Sequence, residues 1–539
     1  MAQNAGRTIL GTFARSVLLA ATLTGAAVTV SGCAVSENDV HRWETTERGP
    51  GKLYAVVTHD KYAFPLRVEA ALSLIRMKPR SGKHWAIPYL IDGFKDDTGE
   101  VREGALLVVP PATRAKLVEA MAPELIKQMQ APPPPKNPDG SKPPDPSTAY
   151  KDAAFAMLSH DPPLVTDDKV KADLSNAITE WAHADFENRL DSSQQYGIEQ
   201  VLRFLGANSV KALPAMLTES STKIDRIAAL IHDLGDAETK QKASVALVTL
   251  AKKIDAKEWI DRQTPLVEEA DKRANQKVTK EQLAEQVKKF QDQELVKIFT
   301  AMKKVGGRPS IEYALAYAAN KDNNEDRRKA ALAAIEGTVD KTQTKDIETL
   351  FEIAKDDSTP DSVRDLAFQR LGELPKEIVV PKMYQLFDAK KWKVRWVAAS
   401  LIMKTLTTKG LPGFLDRLPK SPATKMGMTE PISYGGIAKT MDAPAGEPKP
   451  RDAILPYLPS KDFGAKLTAL GFFYGGKKSD VSVVQPYEND ATPVPACAKE
   501  DECGWQCEVP KAAGETESKD IKTVGEFVKF CLVPSMTSP

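Results

Sequence analysis

The stretches DSTPDSVRDLAFQRLGEL (residues 357–374) and DAKKWKVRWVAASLIMKTL (residues 388–406) are written in one register. An aspartate leads, a basic residue follows seven positions later, an alanine three beyond that, and an apolar residue four further on. The two sets are Asp357/Arg364/Ala367/Leu371 and Asp388/Arg395/Ala398/Ile402. Positions i, i+3 and i+7 share one face of an α-helix. The alanine therefore admits a neighbouring helix closely while the leucine or isoleucine fills the space between. Such a stripe has nothing to bury against unless a second helix is stacked on it.

The same register recurs outward from this point at Arg67/Ala70/Leu74, Lys240/Ala243/Leu247 and Arg327/Ala330/Ala334, with a degenerate copy at Lys466/Ala469/Phe473. Asp60, Asp233 and Asn320 stand seven residues before the first three, where an Asx turn can separate two helices. The copies at 327, 364 and 395 are 37 and then 31 residues apart, the length of a helix pair. KDIETLFEIAKDD (345–357) and PKMYQLFDA (381–389) carry apolar residues at helical spacing and supply the preceding partner helices. This pattern resembles HEAT-like repeats, in which the second helix reads Asp, Val-Arg, then Ala and Leu. The resemblance implies an all-α fold, a HEAT-like α-solenoid (an α-α superhelix). Its motif is one of packing and carries no catalytic residue. The repeat arginines are expected to pair with the turn aspartate of the next repeat.

Composition agrees. Of the residues, 42% are hydrophobic but only 7% aromatic, which favours helix over sheet. The 74 basic and 73 acidic residues leave a net charge of +1, so no global field attracts nucleic acid.

At the front, Arg7 and Arg15 precede an uncharged run, Val17–Val30, too short to span a bilayer and of the length of a secretory core. It leads into Val30-Ser31-Gly32-Cys33. This resembles the lipobox of bacterial lipoproteins, which implies a signal peptide over 1–32 and lipidation of Cys33. Several acyl chains on one residue anchor firmly. The implied location is exported and lipid-anchored, and Ala34 in place of Asp points to the outer membrane, facing the periplasm.

The other four cysteines, Cys497, Cys503, Cys507 and Cys531, crowd into the last tenth of the chain. An even set in an oxidising compartment reads as disulfides, with three possible connectivities. Zinc would require close pairs, and only Cys503 and Cys507 are so spaced. A small disulfide-stapled C-terminal cap is expected.

The resulting organisation is the signal peptide, N-terminal helical repeats over 33–130, a proline-rich linker over 131–146, and a repeat array over 147–418. Charged helices are inserted at 256–306. A Pro/Gly-rich loop (419–450), a degenerate terminal repeat (451–490) and the cysteine-rich cap (491–539) complete the chain. The linker holds eight prolines in sixteen residues and is expected to be an extended spacer. In the inserted segment, Leu283, Val287, Phe290, Ile298 and Met302 fall near one helical face, as in an added antiparallel pair or a partner-binding arm.

Motifs of chemistry are sparse. The six histidines show no metal-ligand spacing, and there is no G-x-S-x-G elbow. Gly471 to Lys478 has a lysine where a phosphate loop needs Ser or Thr, and reads as a helix end. Asp322, Asn324 and Asp326 imitate a calcium loop but lack its glycine and its closing glutamate, and read as a polar turn. No catalytic residue, cofactor or metal site is assigned. The sequence points to a membrane-anchored scaffold for unidentified envelope proteins, bound to lipid through Cys33 and not to nucleic acid. Trp392, Arg395 and Trp396 are the candidate contact residues, since interface energy concentrates in Trp and Arg. The alternative is an envelope enzyme or ligand-binding lipoprotein acting on cell-wall glycan or peptide, its site at the 419–450 loop.

Overall fold

The computed structural model describes residues 35–78, 86–96, 98–135, 137, 138, 141, 143–192, 194–418, 428–494, 505–510 and 516–537. The 1–32 leader, Cys33, Cys497 and Cys503 lie outside the described residues. The chain divides into two compact units, residues 1–174 and 175–539.

In the first unit the helices Gly49–Thr58 and Phe64–Arg76 pack on each other, and Glu37–Trp43 packs on the second of them. Arg67, Ala70 and Leu74 are all buried, as their register requires. The helices Pro111–Met129 and Ser147–Ser159 also pack on each other and on Phe64–Arg76. The proline-rich segment thus leaves one helix and returns to its neighbour inside the same unit. It does not separate two domains, because the helix that follows it completes the core of the unit that precedes it.

The second unit stacks helix pairs. Arg308–Ala319 packs on Glu325–Ala334, Thr344–Lys355 on Asp361–Gly372, and Lys376–Gln385 on Trp392–Thr405. The second helices also pack in sequence on one another. The fold is all-α and HEAT-like, with alanines 243, 367 and 398 and their partners Leu247, Leu371 and Ile402 buried. At the third copy the register is shifted by one residue. Arg328, Ala331 and Ile335 are buried in the roles expected of Arg327, Ala330 and Ala334.

The buried arginines do not reach the turn aspartate of the next repeat. Arg67 Nε donates to the Val57 carbonyl (2.9 Å) and Arg328 Nε to that of Ala318 (2.7 Å). Arg364 Nη2 donates to Asp356 and Thr359, and Arg395 Nη1 to Ala389 and Lys390. Each acceptor lies at the end of the preceding helix or in the turn after it. Helices leave their last carbonyls without intrahelical partners, and a buried guanidinium both satisfies these and complements the negative end of the helix dipole. Polar links between repeats come from other residues. Lys303 pairs with Glu336, Gly337 N donates to Glu373, and Lys391 donates to the Asp357 carbonyl, at separations of 33, 36 and 34 residues. Lys321 bonds Asp356 and holds its carboxyl down at about 2.

Residues 419–450, expected as an irregular connection, contain the ten-residue helix Thr429–Ala438. It crosses Phe463–Phe472 with backbone against backbone. A Cβ on Gly435 would lie 2.2 Å from Phe472 N, and one on Gly471 2.5 Å from Ile432 Cα. At the degenerate copy Ala469 and Phe473 are buried, while Lys466 pairs with Asp490 at 2.7 Å instead of bonding the end of the helix before it.

The C-terminal cap pairs strands Gln506–Pro510 and Thr516–Asp520 antiparallel. The Cys507–Cys531 disulfide, Cα–Cα 5.6 Å, ties the first strand to the helical segment Val528–Leu532. With a sequence separation of 24, closing that loop contributes roughly 3 kcal/mol. Trp505 meets Phe463 edge-on at 5.9 Å, seating the cap on the last repeat helix.

Replacing Gly435 by Ala is expected to lower stability to urea by about 2 kcal/mol or more through overpacking. Gly436→Ala, whose Cβ meets nothing within 4 Å, is the control and should be neutral or mildly stabilising.

Candidate functional site

Of the three candidate contact residues, Arg395 is removed from the surface. Its guanidinium is 0% exposed and forks onto Glu430, Nε to Oε1 at 2.8 Å and Nη2 to Oε2 at 2.9 Å. Tyr434 donates its hydroxyl to Glu430 Oε1 at 2.6 Å, and burial raises the Tyr434 pKa well above its ordinary value. Arg395 Nη1 also donates to the carbonyls of Ala389 and Lys390, and the fork locks the Trp392–Thr405 helix to Thr429–Ala438. It therefore cannot touch a partner. Trp392 and Trp396 are half-buried beside it.

A second arginine organises the inserted segment. The helices Lys257–Arg273 and Lys280–Val305 pack on each other, with Trp259 against Phe290 at 5.3 Å. The latter half of Lys280–Val305 is a core member of the array, burying Leu295, Ile298, Phe299 and Met302 against Ile224–Leu234, Ala237–Asp255 and Glu325–Ala334. Arg327, one residue before the capping Arg328, turns the other way. Its Nε bonds Asp292, its Nη1 bonds Asp255 Oδ1 (2.7 Å), and its Nη2 bonds Gln291 Oε1 (2.7 Å). Gln291 in turn donates to the Ile254 carbonyl, and Tyr317 donates to Asp255. Burial raises the Tyr317 pKa to about 12, so its hydroxyl stays protonated. Asn324, read as part of a polar turn, N-caps the Glu325–Ala334 helix by accepting from Arg327 N. The hub thus joins four helices through one fork.

Above this hub lies an open groove of about 700 Å³, within the size range of ligand sites. Ile260, Thr264 and Glu268 line one wall, one helical turn apart. Lys280, Leu283, Ala284, Lys288 and Gln291 line the other. Asp322, Asn323, Asn324 and Arg327 close the end. A smaller hollow of about 370 Å³ shares Asn323 and is bounded by Lys252, Tyr313 and Tyr317. Asp255, which borders the smaller hollow, and Asp292 are half-buried and both bonded to Arg327.

One further cluster has ligand-like composition. Donor atoms of Glu37, His41 and Glu69 lie within 4.8 Å of one another in the first unit. Arg76 supplies the cation there, bonding Glu69 and Glu44 and approaching His41 Nδ1 at 3.4 Å.

The Vitellogenin TPR domain family matches residues 206–403, the part containing the groove. No curated protein matches the chain. Among solved structures, Kap121p bound to Ste12p is similar at 15% identity and TM-score 0.30, covering 84% of this chain and 43% of that one. Kap121p bound to Nup53p gives 14% identity and TM-score 0.28, covering 84% and 46%. The chain spans less than half the length of Kap121p, and the superposition is loose.

Arg327→Met is expected to destabilise the second unit by about 3 kcal/mol, because Asp255 and Asp292 lose their shared counter-charge. Hydrogen exchange should accelerate most in 280–305 and 325–334. Arg327→Lys should recover only part of the loss, since one compact ammonium cannot span the acceptors that Nε, Nη1 and Nη2 reach from separate corners of the guanidinium.

Proposed function

We propose that this chain is an exported, lipid-anchored helical-repeat scaffold that holds a partner protein in the bacterial cell envelope. The observation that carries the reading is the open groove beside the Arg327 hub. It has an apolar floor, stands on stacked repeats, and is braced by four helices, so its shape exists before a partner arrives. Helical repeat arrays are suited to extended contact surfaces. The Cys507–Cys531 disulfide supports an oxidising compartment, the lipobox-like Val30 to Cys33 supports a lipid tether, and Ala34 after it supports the outer membrane, facing the periplasm. The competing reading, an enzyme or binder of cell-wall glycan, needs converging groups that face a substrate. The carboxylates that line the groove are Glu268, which is paired with Lys272, and Asp322 at its closed end.

Two measurements test this. In cell fractionation the wild-type protein should pellet with membranes, and Cys33→Ala should be soluble or remain an uncleaved precursor. A mature-length Cys33→Ala protein that still pelleted would contradict the anchor. Gentle cross-linking and recovery from native envelopes should yield one or two stoichiometric proteins. Recovery of glycan with no protein would contradict the scaffold.

A further inference from the structure

The cations of the groove are unevenly answered. Asp255 and Asp292 are held by Arg327, and Glu268 is paired with Lys272 at 2.7 Å. Lys280 and Lys288, on the rim of the groove, and Lys252, at the adjoining hollow, are exposed, and among the described residues none has a carboxylate within 4 Å. Asp322, at the closed end, is the one lining carboxylate without a cation among the described residues. The rim therefore presents a surplus of positive charge over an apolar floor of Ile260, Leu283 and Ala284.

The walls also restrict the backbone of an occupant. Both are helices whose backbone groups, apart from the first turn at Lys280 and the carbonyl opposite Pro265, bond within the helix, and Thr264 Oγ donates to the Ile260 carbonyl of its own helix. No strand edge is offered, so an incoming chain must satisfy its own backbone groups. A helix does this, and a third helix laid in a two-helix seam presents residues at i, i+3, i+4 and i+7 to it. Lys280 and Lys288 stand eight residues apart, about 12 Å along the axis, within reach of carboxylates two turns apart on such a helix.

Resting on the scaffold reading above, we infer that this groove takes an acidic amphipathic helix of a partner protein. Its apolar stripe lies on Ile260, Leu283 and Ala284, and its carboxylates face Lys252, Lys280 and Lys288.

The test uses the full mature chain and three labelled synthetic peptides of about five turns, read by fluorescence anisotropy. One carries a leucine stripe flanked by Glu, one the same stripe flanked by Lys, and one Glu flanks with the stripe replaced by Ser. Only the first should bind, more weakly as salt is raised. Lys252→Glu/Lys280→Glu/Lys288→Glu should weaken it at least tenfold, with the milder Lys→Gln triple variant intermediate. These side chains are exposed, and circular dichroism checks that the fold is retained. Equal binding of the Lys-flanked peptide, or no effect of either triple variant, would overturn the inference. So would concentration-dependent dimerisation abolished by the triple variant, which would make a second copy of this chain the occupant. If the triple variant still recovered the envelope partner, the groove assignment would fall and the scaffold would stand. If wild type recovered none, the scaffold itself would fall.

Discussion

A helix that ends inside a protein leaves carbonyls that water cannot reach, and in these repeats a buried arginine from the next helix answers them. Arg67, Arg328, Arg364 and Arg395 each donate to backbone at or just beyond the end of the helix before. The bond fixes the angle at which the two helices of a pair meet, and the alanine three residues on then permits close contact. A pair held this way still exposes one apolar face, so it must be stacked. Where the fork can do more, it does. Arg395 also grips Glu430 and so carries the array into the Thr429–Ala438 helix.

Functional geometry follows from the same residue type used in the opposite direction. The Glu325–Ala334 helix carries two adjacent arginines at its third and fourth positions, and adjacent residues on a helix point about 100° apart. Arg328 caps its own pair. Arg327 is free to brace the inserted Lys280–Val305 helix, and the groove is the space left between that helix, Lys257–Arg273 and the 322–327 turn. The insert is therefore no loose arm. Its inner half is core, and its outer half is the wall of a preformed hollow.

Much of this was legible in the sequence. The Arg/Ala/Leu register located the second helix of each pair because it reflects local packing at fixed spacing. With Arg327 and Arg328 side by side, the register could not be fixed to the residue, since either choice keeps a basic, small and apolar series. The Thr429–Ala438 helix was hidden because Pro431, Gly435 and Gly436 oppose helix locally, while the contacts that compensate, Arg395 with Glu430 and Gly435 with the backbone at 472, lie far apart in sequence. The same distance made Arg395 look like a surface anchor. The groove draws its lining from three separate stretches, and which lysines lack a partner is a property of folded geometry alone.

The most direct measurement is a lysine cross-link map of the native envelope complex. Spacer-length links from the partner should concentrate on Lys252, Lys280 and Lys288, the three rim lysines. Links concentrated instead around Lys390, Lys391 and Lys393, beside the half-buried Trp392 and Trp396, with none at the groove, would contradict the account.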